Sequence, residues 1–176
     1  MILSKFLGVT DKSITYFALM PFIAIKHHCG LENVAKNNII HRSSFTRDHS
    51  LHNIQGACAK TEGPHQSYSN YHNIFFMDTV EDLDFGRPWD RYYNDSPDFN
   101  HNLYWSPQED AKSLLMFPDQ LTWDQWVLAG NDTGSIWAKP KFVDPEAGMY
   151  SLADDSPVWD LGLEQIQMDN FGIQKN

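Results

Sequence analysis

The chain has 176 residues, 41% of them hydrophobic, and a formal net charge of −10 at pH 7. That length is enough for one domain whose core needs no disulfide or structural metal. The acidity argues against nucleic acid as a partner, because phosphate binding requires clustered Lys and Arg.

Residues 1–22 form a leader in which we recognise no motif. The most apolar stretch of the chain covers residues 14–25, and it is shorter than the roughly 20 apolar residues that cross a bilayer. We therefore expect no membrane partner. Asp11 and Pro21 interrupt the pattern of a signal peptide, and none is evident. We interpret the stretch as a buried strand pair or a disordered leader.

Between residues 23 and 120, short β-prone runs alternate with Asn, Asp, Gly and Pro, which is typical of all-β structure. Asn38, Asn73 and Asn102 each precede an apolar run, and they lie 35 and 29 residues apart. Such periods indicate stacked repeats. Asn tolerates the left-handed conformation of a coil corner, and stacked Asn side chains form hydrogen-bonded columns. The runs alone leave a solenoid and a β-sandwich open, although the even strand spacing of a sandwich is missing.

Carboxylates concentrate between residues 78 and 98. We interpret this stretch as a solvated acidic loop, because no loop of the chain has EF-hand spacing. The alternative is a Ca²⁺ site, since that hard cation takes several oxygen ligands. No other cofactor is expected.

One short helix is predicted, from Thr122 to Ala129. Trp123, Trp126 and Val127 recur there at helical spacing, with Thr122 as the N-cap and Gly130 as the stop. Residues 121–176 otherwise consist of turns and short β-prone runs, and we expect this C-terminal tail to pack on the coils.

The tail resembles the C-terminal end of right-handed parallel β-helix proteins, many of which are glycoside hydrolases or pectate-lyase-like. The resemblance rests on the order of several short elements: Leu121-Thr122-Trp123, Gly130-Asn131-Asp132, Ser135-Ile136, Pro140-Lys141-Phe142, Gly148-Met149-Tyr150-Ser151-Leu152 and Ser156-Pro157. His28-Cys29-Gly30 with Glu32-Asn33 resembles an upstream segment of the same proteins. The match covers about residues 23–172. The chain departs from the pattern of these proteins at Lys26, Lys139 and Val158.

This resemblance implies a right-handed parallel β-helix fragment of about three coils, followed by the loop-rich tail and the short helix. It also implies a polysaccharide or oligosaccharide partner and a secreted or extracellular location. The chain is expected to be the C-terminal fragment of a longer protein and inactive alone. The alternative is a catalytically empty glycan-binding or structural module. The oligomeric state stays open.

Glycoside hydrolysis needs two carboxyl groups that flank the bond, whereas elimination needs a base and a cation that neutralises the uronate. Side chains from several coils would supply these groups: His28, Glu32, Asp48, Glu62, His65 and Asp78. Glu62, His65 and His28 are the catalytic candidates. For the first two, Gly63-Pro64 predicts a rigid turn that presents both side chains together. The predicted sugar platforms are Trp89, Tyr92 and Trp105. The residues leave glycoside hydrolase and polysaccharide lyase both open.

Overall fold

The computed structural model describes residues 17–19, 23–27, 33–42, 50–54, 68–80, 84–86 and 98–165. These parts of the chain are predominantly β, as the sequence predicts, and the extended strand pairings are mostly parallel. They contain two short α-helices rather than the one predicted. None of the helices in the described ranges is long and apolar enough to cross a membrane.

Successive strands enter three parallel sheets in turn. Sheet I has the order β1-β4-β7-β10-β11, sheet II the order β2-β5-β8, and sheet III the order β3-β6-β9. We call one passage through the three sheets a circuit. The strands of the circuits are β1 (Phe17–Leu19), β2 (Ile23–His27), β3 (Asn33–Lys36), β4 (Ile39–Arg42), β5 (Ser50–Ile54), β6 (Tyr68–Tyr71), β7 (Ile74–Met77), β8 (Asp84–Gly86), β9 (Asp98–Asn100), β10 (Leu103–Trp105) and β11 (Ile136–Trp137).

The predicted asparagine column exists at the entry to sheet I. The Asn38 side-chain amide donates to Asn73 Oδ1 at 2.7 Å, and the Asn73 amide donates to Asn102 Oδ1 at 3.1 Å. The Asn38 and Asn73 backbone N–H groups donate to the same two oxygens. We call Asn38, Asn73 and Asn102 the asparagine ladder. It joins successive circuits at one corner.

The left-handed corner residue is not the ladder asparagine, as the sequence analysis expected, but the residue before it. Asn37, His72 and His101 have φ angles of 55°, 58° and 53°. Their backbone groups also bond from circuit to circuit, with Asn37 N–H donating to the His72 carbonyl at 3.0 Å. The ladder position needs an amide side chain for its hydrogen bonds, whereas the corner position needs only a tolerated positive φ.

The two faces of sheet I pack against different parts of the molecule. Ile40, Phe75 and Tyr104 are in register on one face and share a buried cluster with Phe99 of sheet III. The Phe75 and Tyr104 rings stack with centroids 5.0 Å apart. This inner face therefore forms the core between the sheets.

Helices α1 (Ala111–Leu114) and α2 (Trp123–Leu128) contribute side chains to the same buried cluster as Phe75 and Tyr104. Thr122 caps α2 through a capping box with Gln125, and Gly130 follows with a φ of 94°, as predicted. The sequence analysis missed α1. This helix has only four residues, and its N-cap Asp110 makes no side-chain capping bond.

The outer face of sheet I is covered by residues 140–163. Ile39, Ile74 and Leu103 pack there against the antiparallel hairpin of β12 (Phe142–Asp144) and β13 (Met149–Leu152) and against the chain that follows. Together these side chains form a second buried cluster, which we call the tail cluster. The tail thereby brings polar groups of its own next to those of sheet I.

Candidate functional site

Most of the residues that sequence analysis assigned to catalysis or sugar binding lie outside the described residues. This holds for Glu62, His65 and His28, for Trp89 and Tyr92, and for Glu32 and Asp48. Trp105 is described: it lies on β10, is half-buried and packs on the tail cluster. Asp78 follows β7 and contacts His41.

A cleft of about 470 Å³ opens at the surface where the end of sheet I meets the tail. We call it the tail cleft. Its walls come from the segment after β11 and from the segment after β13. The lining residues are Ala138, Lys139, Lys141, Asp154, Asp155, Ser156, Pro157, Trp159 and Asp160.

Trp159 provides the aromatic surface of the tail cleft. Its indole Nε1 donates to the Ala153 carbonyl at 3.0 Å, and part of the side chain packs on the tail cluster. The hydrogen bond and the packing fix the orientation of the ring. A ring held in this way is a suitable platform for the apolar C–H face of a sugar, because little conformational entropy is lost on binding.

The backbone around the tail cleft is held by buried hydrogen bonds. Ser156 is 4% exposed, and its hydroxyl donates to the Pro140 carbonyl at 2.6 Å. The Ala153 N–H donates to the Lys141 carbonyl at 3.0 Å. These bonds tie the two walls together, so the shape of the cleft exists before any ligand binds.

One ion pair crosses the tail cleft. Lys141 Nζ contacts the Asp155 carboxylate at 2.7 Å and the Asp155 carbonyl at 3.0 Å. The hydrogen bond and charge of Lys141 lower the pKa of Asp155 below its ordinary value. Both side chains are largely exposed, so the pair contributes little to stability and chiefly neutralises two of the charges in the cleft.

A second polar group is buried at the junction of sheet I and the tail. His41 on β4 is 8% exposed and stacks on Phe76, with ring centroids 4.4 Å apart. Its Nε2 lies 2.9 Å from Asp78 Oδ1, and its Nδ1 lies 2.5 Å from the Tyr150 hydroxyl. Burial, followed by the Asp78 charge, raises the pKa of Tyr150. The phenol therefore stays protonated at neutral pH and links the tail to the sheet.

The change Tyr150→Phe is expected to lower the free energy of unfolding by about 1–2 kcal/mol, because buried His41 Nδ1 loses its partner while the ring packing is kept. Urea unfolding followed by circular dichroism measures the difference. The matched control is Tyr71→Phe on sheet III, where the ring is only partly buried. Equal stability of the Tyr150 variant and the native chain would show that the hydroxyl does not hold the tail.

The described residues contain no group of three His, Cys, Asp or Glu side chains that could hold a metal ion. The acidic stretch proposed for Ca²⁺ lies mostly outside them, with Glu81, Asp82, Asp90 and Asp95 among the residues that are not described. The Ca²⁺ expectation stays a prediction.

Sequence analysis missed both the tail cleft and the His41 group. Residues 154–160 contain three aspartates and a tryptophan, which the sequence analysis did not predict to form a site. The acidic residues around this tryptophan are the sequence feature that could have indicated the tail cleft. No comparable signal existed for His41, since its contact with Tyr150 joins residues 109 positions apart.

Comparison with known proteins identifies no family for this chain. No protein-family model matches the chain, and no curated protein or solved structure is significantly similar to it.

Proposed function

We propose that this chain is the C-terminal portion of a right-handed parallel β-helix protein of the polysaccharide-handling type, and that it binds an oligosaccharide in the tail cleft. The tail cleft is the observation that carries the proposal. It combines a fixed tryptophan ring with flanking carboxylates and lysines on a preformed surface, and sugar sites use that combination.

The succession of strands through three parallel sheets supports the β-helix part of the proposal. Each circuit returns to sheet I beside the previous one, and the asparagine ladder bonds successive circuits at the same corner. Stacked units of this kind present one long surface to which several circuits contribute. The order of short elements in the tail supports the polysaccharide-handling type by resemblance.

Binding without catalysis is the form of the proposal that the cleft supports best. The Asp155 carboxylate is engaged by Lys141, which holds the pKa of that carboxyl below its ordinary value, whereas a general acid needs a raised pKa. Hydrolysis or elimination by a longer protein would use groups on other circuits. The catalytic candidates Glu62, His65 and His28 remain predictions for that role.

The change Trp159→Ala is expected to weaken oligosaccharide binding at least tenfold, about 1.4 kcal/mol, because the sugar loses its stacking surface. Isothermal titration calorimetry on a panel of neutral, cationic and uronate oligosaccharides measures the affinities. Trp159→Phe keeps a smaller ring on the tail cluster and is expected to bind with intermediate affinity. Circular dichroism verifies that each variant keeps the native fold.

Trp105→Phe is the matched control, because Trp105 belongs to the same tail cluster but does not line the cleft. It is expected to bind like the native chain. If Trp105→Phe weakens binding and Trp159→Phe does not, the sugar lies at the platform predicted from the sequence and the tail cleft is excluded. If the native chain binds no member of the panel, the proposed function is wrong.

A further inference from the structure

The charges of the tail cleft point to the class of sugar. We infer that the cleft selects oligosaccharides with free amino groups, such as linked glucosamine, over uronate and neutral oligosaccharides. This inference rests on the proposed function, since it concerns the ligand of the same cleft.

The first step is the balance of charges within the cleft. Lys141 and Asp155 neutralise each other through their 2.7 Å contact. Three charged side chains of the cleft remain, Lys139, Asp154 and Asp160, and all three are exposed. None of these three has an ion pair or side-chain hydrogen bond to any residue in the described ranges. The cleft therefore offers two unpaired carboxylates against one unpaired ammonium group.

The second step is the chemistry that the aromatic ring adds. The indole N–H is committed to the Ala153 carbonyl, so it does not donate to a ligand. The face of a Trp ring attracts cations and also stacks on the C–H face of a pyranose. A protonated amino sugar presents both features to the same ring, with its ammonium groups near carboxylates that lie within the same cleft.

The third step is the field of the whole chain. A net charge of −10 repels an approaching polyuronate and attracts a cationic oligosaccharide. The repulsion is not offset locally, because the only unpaired cation among the described cleft residues is Lys139. A lyase-type uronate site would instead need clustered Lys or Arg, or a bound cation, to neutralise the sugar carboxylates.

The test compares three oligosaccharides of equal length by isothermal titration calorimetry: linked glucosamine, its N-acetylated form, and linked galacturonate. The measurement is made at about pH 5.5, where the amino groups of the glucosamine oligomer are protonated. The glucosamine oligomer is expected to bind most tightly and the galacturonate oligomer most weakly. Raising the salt concentration is expected to weaken the glucosamine complex alone.

Charge variants locate the effect. Asp154→Asn and Asp160→Asn are each expected to weaken glucosamine binding about threefold, and the pair together about tenfold, with N-acetylated binding unchanged. Lys139→Gln is expected to strengthen glucosamine binding by a factor of about two. Asp98→Asn removes the same charge from an exposed position on sheet III and is expected to leave every affinity unchanged.

The outcomes separate the inference from the proposed function. If the neutral oligomer binds as tightly as the amino oligomer, or if Asp98→Asn weakens binding as much as the cleft variants do, the inference is wrong while glycan binding stands. If the galacturonate oligomer binds best, the inference is also wrong. If none of the three oligomers binds, the proposed function fails with it.

Discussion

Asp132→Ala is expected to lower the free energy of unfolding by about 3–4 kcal/mol. Asp132 is 2% exposed, and its carboxylate accepts hydrogen bonds from three side chains besides the ladder. Trp126 Nε1 lies at 2.9 Å, the Tyr104 hydroxyl at 3.1 Å and the Ser135 hydroxyl at 2.6 Å. Alanine removes the acceptor that these three donors share, two of which are buried.

The position of Asp132 at the end of the asparagine ladder explains why a carboxylate is used. Asn102 Nδ2 contacts Asp132 Oδ1 at 3.4 Å, and the Asn102 N–H donates to the Ser135 hydroxyl at 2.8 Å. An amide in the ladder accepts from one circuit and donates to the next. A carboxylate only accepts hydrogen bonds, so it ends the column. It also accepts hydrogen bonds from Trp126 of α2 and from Tyr104 of β10.

The same group makes stability depend on pH. Burial raises the pKa of Asp132 above its ordinary value, although its four hydrogen bonds act in the opposite direction. The folded chain therefore holds this proton more tightly than the unfolded chain does. The resulting stability is fully present below the unfolded pKa, about 4, and is lost as the pH rises through the folded pKa.

Urea unfolding at pH values from about 4 to 8 measures both effects. Asp132→Asn keeps the shape and one acceptor oxygen, so we expect it to cost about 1–2 kcal/mol at low pH. Its stability should fall less steeply with pH than that of the native chain, because the titrating group is gone. Parallel pH profiles for the two proteins would contradict a raised pKa at this site.

The parts of the fold that were predictable from the sequence are those that local residues determine. The helix after Thr122 depends on a capping box and a periodic apolar face, both within one short segment. The ladder was predictable because Asn38, Asn73 and Asn102 recur at the same place in similar runs. A contact between repeats is visible in the sequence, because a residue of one repeat contacts the equivalent residue of the next repeat.

The contacts that build the candidate sites are not repeated and join distant positions. Trp159 lines a cleft with Lys139 and Lys141, whose place beside it depends on how the tail crosses sheet I. No periodicity encodes that crossing. In the sequence, Asp132 belongs to a Gly-Asn-Asp segment, which is typical of an exposed turn. The structure instead buries its carboxylate, which accepts a hydrogen bond from the end of the ladder. In both cases tertiary packing decides the role of a residue whose local signal is an ordinary turn.

Asn73→Ala is expected to have the largest effect on stability, about 3–5 kcal/mol. Asn73 is fully buried at the centre of the ladder. Its amide donates to the Ala35 and Tyr71 carbonyls at 2.9 and 3.1 Å and to Asn102 Oδ1, while its oxygen accepts from both nitrogens of Asn38. Truncation removes side-chain hydrogen bonds that join three circuits at once.

Asn70 provides the matched control because it is the same residue type, lies three positions earlier in the chain and is equally buried. Among the described residues, its side-chain nitrogen and oxygen have no hydrogen-bond partner. It lies on β6, in register between Ala35 and Phe99. Asn70→Ala removes an unsatisfied amide, which offsets the loss of packing, so we expect its stability to change by less than about 1 kcal/mol.

Comparing the two variants separates hydrogen bonding from burial. Chemical denaturation of the native chain, Asn73→Ala and Asn70→Ala under identical conditions gives the two differences in unfolding free energy. If both variants lose the same stability, the ladder hydrogen bonds contribute nothing beyond side-chain volume. A large loss at Asn73 with little change at Asn70 shows that the ladder joins the circuits, because among the described residues the Asn73 side chain bonds from circuit to circuit and that of Asn70 does not.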